Sequence, residues 1–151
     1  MDRKQLLQRI DHAWDAMKAA YFGLSESELV ESGVMGSWSI KDIIVHVTWW
    51  EEEALTHLPS ILTGEKPPRY SITHGGIDAF NAKKYEEKKD LSISMVLQQR
   101  DEIHRRLIDF LQQVPEAQIE RETRFRHRLR LDTYGHYLKH AEVIREWLMK
   151  M

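Results

Sequence analysis

The stretch Thr133–Met149, TYGHYLKHAEVIREWLM, decides the fold that we predict for this chain. Its apolar residues recur at helical spacing, which predicts an amphipathic helix with one buried stripe. His136 and His140 fall inside that stripe, on the same face and one turn apart. A buried polar group without a partner costs a few kcal/mol, so two imidazoles in this position require a partner or a role. The apolar residues of the stripe are Tyr137, Val143, Ile144 and Trp147.

Three further stretches show the same helical periodicity: Asp2 to about Phe22, Ile40 to about Leu62, and Ser94 to Val114. Four amphipathic helices of about twenty residues each, with long second and third connections, predict an all-α fold, a four-helix bundle. We find no internal repeat, and 151 residues suit one domain with one core. The sequence therefore predicts a single domain over residues 1–151.

The connections carry shorter signals. Ser25 and Glu28 form a capping-box pattern that opens a short helical turn. Gly64–Gly76, GEKPPRYSITHGG, is predicted to be an irregular loop, and Ile77–Lys88 a short helix. Residues 115–132 include RETRFRHRLRLD, which alternates and is strongly basic, so we interpret them as an extended segment that crosses the bundle surface.

Composition excludes several classes of function. A net charge of −2 argues against nucleic acid as a partner, and no apolar run reaches the roughly 20 residues of a membrane helix. The first residues, MDRKQLLQRID, resemble no targeting signal, and the chain has no cysteine, which is compatible with a reducing, cytoplasmic location. A transition-metal site must therefore use His with Asp or Glu, and eight histidines are available.

His46 is a third candidate ligand, at the edge of the buried face of the helix that begins near Ile40. If that helix is a neighbour of the last one, its imidazole can converge with those of His136 and His140. Three imidazoles suit Zn²⁺, Ni²⁺ or Fe²⁺ and leave a coordination position open, as catalytic sites do. Such an ion lowers the pKa of water or holds a thiolate. The alternative is that each histidine is a buried, hydrogen-bonded structural residue.

Other residues could contribute to a site. Asn81 and Tyr85 could orient a substrate or a water molecule, or could simply pack their short helix. Trp50 and Trp147 are placed to line a cavity near the histidines. We expect Glu51–Glu53 to form a solvated face, with Glu53 as a possible outer-shell acid. The remaining histidines are expected at the surface or in loops: His12, His57, His74, His104 and His127.

Two motifs resemble a known family. The segment from Trp38 to Glu51, WSIKDIIVHVTWWE, resembles the WSxKDxxxHxxxWE signature of the DinB-like family. The segment from His136 to Trp147, HYLKHAEVIREW, resembles that family's closing helix, HYxxHxxxIxxW. The resemblance extends over nearly the whole chain, and the two motifs together are fairly specific.

The resemblance implies a four-helix bundle of up-down-down-up connectivity, often dimeric. It also implies a divalent metal ion held by His46, His136 and His140. The family includes thiol-dependent S-transferases and related metalloenzymes. Residues 78–81, with Tyr85 and the run LSIS at 91–94, resemble the ClbS/DfsB-type branch, whose members do not all keep a metal.

Three hypotheses follow. The first is a metal-dependent enzyme that activates water or a low-molecular-weight thiol for hydrolysis of, or S-transfer to, a small electrophilic substrate. The second is a metal-free hydrolase or protective protein of the ClbS/DfsB type, using Asn81 and Tyr85. The third is a bundle that sequesters a hydrophobic small molecule, or serves as a dimerising stress protein, without catalysis. Each is compatible with a homodimer.

Overall fold

The computed structural model describes residues 1–151, which form nine helical segments and no β-strand. Four long helices build the bundle and shorter ones lie in the connections, so the all-α, four-helix-bundle prediction is confirmed. In chain order the helices are α1 (Arg3–Ala20), α2 (Glu26–Leu29), α3 (Ile40–Leu62), α4 (Tyr70–Thr73), α5 (Ile77–Lys88), α6 (Ile93–Leu111), α7 (Ala117–Glu120), α8 (Arg124–Asp132) and α9 (Tyr134–Met149).

Side-chain caps fix where the long helices begin. Asp2 caps α1 and Ser25 caps α2, each in a reciprocal capping box. Ser39 caps α3: its Oγ accepts from the backbone N–H of Asp42 at 3.1 Å, and the Asp42 carboxylate accepts from the Ser39 N–H at 2.9 Å. Because this cap sets the register of α3, it places His46 about two turns into the helix.

The core lies between the four long helices and α8. Helix α1 packs on α9, and α3 packs on α6 and α8. Each helix turns an apolar stripe inward, as the periodicity predicts. The largest fully buried side chains include Leu6, Ile10 and Met17 of α1, Ile43, Ile44 and Leu58 of α3, Leu107 and Leu111 of α6, Phe125 of α8 and Tyr137 of α9.

The prediction of an extended segment over residues 115–132 is wrong, because this part of the chain forms α7 and α8. Thr123 caps α8, its Oγ1 accepting from the Arg126 N–H at 3.1 Å. Phe125 and Leu129, one turn apart, are fully buried, so the segment has a helical apolar face. The arginines between them produced the apparent alternation. The predicted loop Gly64–Gly76 likewise contains one helical turn, α4.

Two predictions of surface position are also wrong. Glu51 is fully buried, with no exposed surface, and the His104 side chain is only 12% exposed. The reason is that they partner each other: Glu51 Oε2 lies 2.7 Å from His104 Nδ1 and accepts from the Tyr137 hydroxyl at 2.7 Å. Trp14 stacks on the His104 ring at 3.8 Å. His12, His74 and His127 are exposed as expected, and His57 is half-buried beside Glu53.

None of the helices has both the length and the apolar character that crossing a bilayer requires.

Candidate metal centre

Three histidines from two helices meet at one end of the bundle. His46 comes from α3, and His136 and His140 come from successive turns of α9. The Nε2 atom of His136 lies 3.0 Å from Nε2 of His46 and 2.9 Å from Nε2 of His140. The potential ligand atoms of all three lie within 4.8 Å of one another. The structure thus brings together the three residues singled out from the sequence, which we call the histidine triad.

Burial keeps the triad neutral. Loss of solvent lowers the pKa of His46 to about 3 and that of His140 to about 4, with the positive charge of nearby Lys139 contributing in both. Loss of solvent, followed by repulsion from His140 and His46, lowers the pKa of His136 to about 2. At neutral pH each imidazole therefore carries one N–H and one lone pair, which is the state that binds a metal.

The geometry of the triad favours the binding of a cation over hydrogen bonding among its three imidazoles. All three Nδ1 atoms are buried without a hydrogen-bond partner. Three neutral imidazoles hold three N–H groups and three lone pairs, but both short contacts share His136 Nε2, whose single proton or lone pair can form only one full hydrogen bond. If the protons sit on Nδ1, the Nε2 lone pair of His136 faces those of His46 and His140 at about 3 Å, and a cation between them relieves that repulsion. Imidazole donors suit Zn²⁺, Ni²⁺ or Fe²⁺.

The chain supplies no outer-shell partner to these ligands. Metal-bound histidines usually donate their other N–H to a carboxylate or carbonyl, which orients the ring. Glu53, the predicted outer-shell acid, instead accepts from the Tyr70 hydroxyl at 2.8 Å and lies 3.5 Å from His57 Nε2. The Nδ1 atoms of the triad have no such acceptor.

The triad lies at the floor of a groove of about 590 Å³. Trp38 forms one wall, with its ring 5.1 Å from that of His46, and Trp50 forms another. Trp147, also expected there, is half-buried three turns further along α9 and does not line the groove. The remaining apolar lining is Met35, Ile77 and Leu131.

The two candidate polar residues from α5 occupy different positions. Asn81 lines the groove, and its Oδ1 accepts from the indole N–H of Trp50 at 2.9 Å and of Trp49 at 3.3 Å. Tyr85 does not reach the groove and stacks on Trp38 with ring centroids 5.7 Å apart. The structure therefore separates this pair and keeps only Asn81 at the candidate site.

Sequence reasoning missed a charged cluster at the rim. Arg128 Nε donates to Asp132 Oδ2 at 2.6 Å, and Arg128 Nη2 donates to the Tyr70 hydroxyl at 2.9 Å. Burial raises the pKa of Asp132 to about 6, although the Arg128 charge opposes that rise. The i, i+4 spacing of Arg128 and Asp132 is a helical signal that the extended interpretation of this segment concealed. Lys139 completes the rim and is exposed.

A comparison with protein families identifies the family to which this chain belongs. The DinB superfamily model matches residues 9–143, a range that includes the whole histidine triad. The chain belongs to the DinB superfamily. A comparison with curated protein sequences found no match.

Solved structures of this DinB fold cover almost the entire chain. One is DfsB, described as a sibling lethal factor precursor, at 13% identity and a TM-score of 0.82, covering 99% of this chain and 96% of that one. Another is the colibactin self-resistance protein ClbS in complex with dsDNA, at 12% identity and a TM-score of 0.83, covering 99% of this chain and 97% of that one. A third is an uncharacterised protein from Escherichia coli UTI89, at 11% identity and a TM-score of 0.79, covering 99% of this chain and 94% of that one. At these identities the likeness shows a shared fold.

The ClbS structure overturns our expectation about nucleic acid. We excluded nucleic acid as a partner from the net charge of −2. That exclusion is wrong, because a protein with this DinB fold was crystallised with double-stranded DNA. Net charge averages over the whole surface, whereas a duplex meets only one face. In this chain residues 121–130 hold five arginines and one glutamate.

Proposed function

We propose that this DinB-superfamily chain is a metal-dependent enzyme in which His46, His136 and His140 hold a divalent ion at the floor of the groove. One observation carries the proposal: three neutral imidazoles from two helices bring their Nε2 atoms together, with His136 Nε2 3.0 Å from His46 Nε2 and 2.9 Å from His140 Nε2. His136 Nε2 has only one proton or one lone pair and cannot form a full hydrogen bond to both neighbours, whereas a divalent ion can accept a lone pair from all three.

Such a site supports attack on a small electrophile. Zn²⁺, Ni²⁺ or Fe²⁺ bound by three imidazoles keeps its positive charge and an open position, and supplies a Lewis acid that lowers the pKa of water or of a low-molecular-weight thiol. Trp38 and Trp50 give one side of the groove an apolar wall. The proposed reaction is hydrolysis of, or S-transfer to, a small molecule that lies against these walls.

Metal content tests the proposal directly. Untagged protein is loaded with Zn²⁺ or Ni²⁺, passed through a desalting column and analysed by ICP mass spectrometry beside His140→Ala. The matched control is His12→Ala, which removes an exposed histidine of α1. We expect about one ion per chain in the wild type and in His12→Ala, and loss of the ion in His140→Ala. A wild type without metal, or a His140→Ala variant that keeps it, contradicts the proposal.

Turnover tests the second half of the proposal. Metal-loaded and EDTA-treated protein are compared in the reaction of glutathione with 1-chloro-2,4-dinitrobenzene and in the hydrolysis of 4-nitrophenyl acetate. Activity only after metal loading supports the metal-dependent enzyme. Equal activity in the EDTA-treated protein and in His140→Ala favours the metal-free hydrolase. Metal binding without any turnover on a wider panel of electrophiles favours a non-catalytic bundle.

A second candidate function, contact with double-stranded DNA, is favoured by a basic surface. Lys66, Arg69, Arg121, Arg124 and Arg130 are all exposed. Arg124 donates to the carbonyl of Gly64 at 3.2 Å, which places the start of α8 beside the loop that contains Lys66 and Arg69. We call these five residues the basic face. ClbS, the similar structure crystallised with dsDNA, gives this surface a candidate ligand.

Salt-dependent binding tests the DNA candidate. Fluorescence anisotropy with a labelled 20-base-pair duplex at 50 and 200 mM NaCl compares the wild type with Arg124→Gln/Arg130→Gln. The control, Lys41→Gln/Lys89→Gln, removes two charges near the opposite end of α3, where Lys41 Nζ donates to Lys89 O. Loss of two phosphate contacts should weaken binding about tenfold and lower the salt slope by about two. Equal loss in the control would contradict a specific basic face.

A further inference from the structure

We propose that Asn81 anchors the carbonyl oxygen of a neutral ligand in the groove, using the N–H groups of its Nδ2. The inference rests on the proposed use of the groove as the substrate site. It does not require that the triad hold a metal, because Asn81 belongs to α5 and its hydrogen bonds go to Trp49 and Trp50 and not to the three histidines.

The orientation of the Asn81 amide follows from its partners. An indole N–H can only donate, so the amide atom that faces both Trp49 and Trp50 must be the oxygen. The two N···O distances, 3.3 and 2.9 Å, place Oδ1 between the two rings. The amide cannot flip without turning its own N–H groups toward those of the two indoles. Nδ2 is therefore held on the side away from them.

Nδ2 of Asn81 donates to no group of the chain and keeps accessible surface. Asn81 lines the groove together with Trp50. A residue that served only to satisfy the two indoles would need only Oδ1. The arrangement also presents two oriented donors to whatever occupies the groove.

The amide is held in place before any ligand binds. Trp49 is 2% exposed and Trp50 is 8% exposed, so neither ring is free to move. A donor that is fixed by packed neighbours loses little conformational entropy on binding, which is the advantage of a preorganised site. A fixed hydrogen-bond donor beside aromatic rings and an apolar wall is typical of a site that binds a small molecule.

The surroundings select a neutral acceptor. Asp78 lies one turn before Asn81 on α5 and lines the same groove, so its carboxylate disfavours an anion beside Asn81. The groove also contains two basic residues, but Arg128 is paired with Asp132 and Lys139 lies at the exposed rim. Trp38, Trp50 and Ile77 supply an apolar wall. The ligand that fits these neighbours has an amide or ester carbonyl joined to an aromatic or otherwise apolar body.

Asn81 is the only asparagine in the chain, which makes the test direct. Labelling with ¹⁵N-asparagine gives one side-chain NH₂ pair in the NMR spectrum. The probe is acetanilide, a neutral amide with an aromatic ring. N-ethylaniline has the same skeleton without the carbonyl, and benzoate carries an anionic acceptor of similar size. We expect acetanilide to move the NH₂ resonances saturably, and the other two compounds to leave them unchanged.

A variant removes the donor while keeping the acceptor. Asn81→Asp retains an oxygen for the two indoles but turns the groove-facing donor into an acceptor. We expect acetanilide binding, followed by tryptophan fluorescence, to weaken about tenfold, which corresponds to the loss of one good hydrogen bond. The control, Gln112→Glu, makes the same amide-to-acid change at an exposed residue after α6 and should bind as the wild type does. The indole N–H resonances report whether Asn81→Asp is folded.

The outcomes separate this inference from the metal proposal. The NH₂ titration is repeated in EDTA-treated protein and in His140→Ala, with metal content measured on the same samples. NH₂ shifts in EDTA-treated protein and in His140→Ala support the inference, and they leave the metal proposal standing unless the loaded wild type also binds no metal. Bound metal without NH₂ shifts overturns the inference alone. Equal shifts with N-ethylaniline, tighter binding of benzoate, or unweakened binding by a folded Asn81→Asp also overturn it.

Discussion

At the residue scale, the histidine triad makes the stability of the folded protein sensitive to acid. Burial lowers the folded-state pKa of His46, His136 and His140 to about 3, 2 and 4, whereas an exposed histidine in the unfolded chain titrates near 6.5. The unfolded state therefore binds more protons than the folded state in this window. Stability from the triad is fully present above about pH 6.5 and is lost as the pH falls toward 4.

We predict that the EDTA-treated protein loses stability steeply between pH 6.5 and 4.5. Each triad histidine can contribute up to about 1.4 kcal/mol per pH unit to the free energy of unfolding. Urea denaturation at half-unit pH steps measures the slope. His140→Leu, which removes one titrating imidazole, should flatten it, whereas His12→Leu at an exposed site should not. A wild-type slope equal to that of His140→Leu would contradict the argument.

Local pattern explains which residues sequence analysis could find. His136 and His140 repeat at i, i+4 within an apolar stripe, so their shared face is visible in the sequence alone. The pairing of Glu51 with His104 is not visible, because it joins residues 53 positions apart on different helices. Each residue in isolation has the polarity of a surface residue. Only the packing of α3 against α6 makes both buried.

At the element scale, the junction between α8 and α9 positions two of the three triad histidines. Thr133 breaks the helical path, with φ −127° and ψ −107°, and its hydroxyl donates to Leu129 O at 2.5 Å. The sequence predicted the helix that begins at this point but not the helix before it, since the arginines of α8 concealed its apolar face. Gly135 then passes close to α8: a Cβ added there would lie 2.9 Å from the carbonyl oxygen of Arg130.

We predict that Gly135→Ala is destabilising, although alanine in a helix normally stabilises by about 1 kcal/mol relative to glycine. Backbone atoms of α8 must shift to admit the methyl group, at a cost of about 1–3 kcal/mol. Because His136 is the next residue, metal retention should fall as well. Thermal unfolding and ICP mass spectrometry measure the two effects. Ser94→Ala, at an exposed site of α6, is the control, and an equally stable Gly135→Ala would show that no close contact exists.

At the scale of the whole molecule, one polar cluster joins all four long helices. Trp14 of α1 stacks on His104 of α6, which pairs with Glu51 of α3, which accepts from Tyr137 of α9. Periodicity predicted the four helices, but this cluster depends on how they meet and could not be read from any one of them. Tyr137 follows His136 directly. The hydrogen bond from Tyr137 to Glu51 therefore fixes both the position of α9 in the core and the position of the triad along the bundle.

The charge of Glu51 decides how this cluster responds to substitution. Burial raises its pKa above the ordinary value, although His104 and Tyr137 oppose the rise, so the folded state favours the protonated form. The contribution of Glu51 is therefore greatest below its unfolded pKa and is lost as the pH rises through its folded pKa. Glu51→Gln imitates the neutral form and keeps an oxygen for the Tyr137 hydroxyl. His104→Leu instead removes a partner and leaves a buried carboxyl group with one hydrogen bond fewer.

We predict opposite behaviour of these two variants in urea denaturation. Glu51→Gln should stay within about 1 kcal/mol of the wild type and gain relative to it as the pH rises from 5 to 8, whereas His104→Leu should lose about 3 kcal/mol at pH 7.5. His57→Leu, at a half-buried histidine outside the cluster, controls for the loss of an imidazole. Equal losses in Glu51→Gln and His104→Leu would mean that the carboxylate charge itself stabilises the bundle. The four helices would then be joined by an ion pair, and acid would weaken both the cluster and the triad.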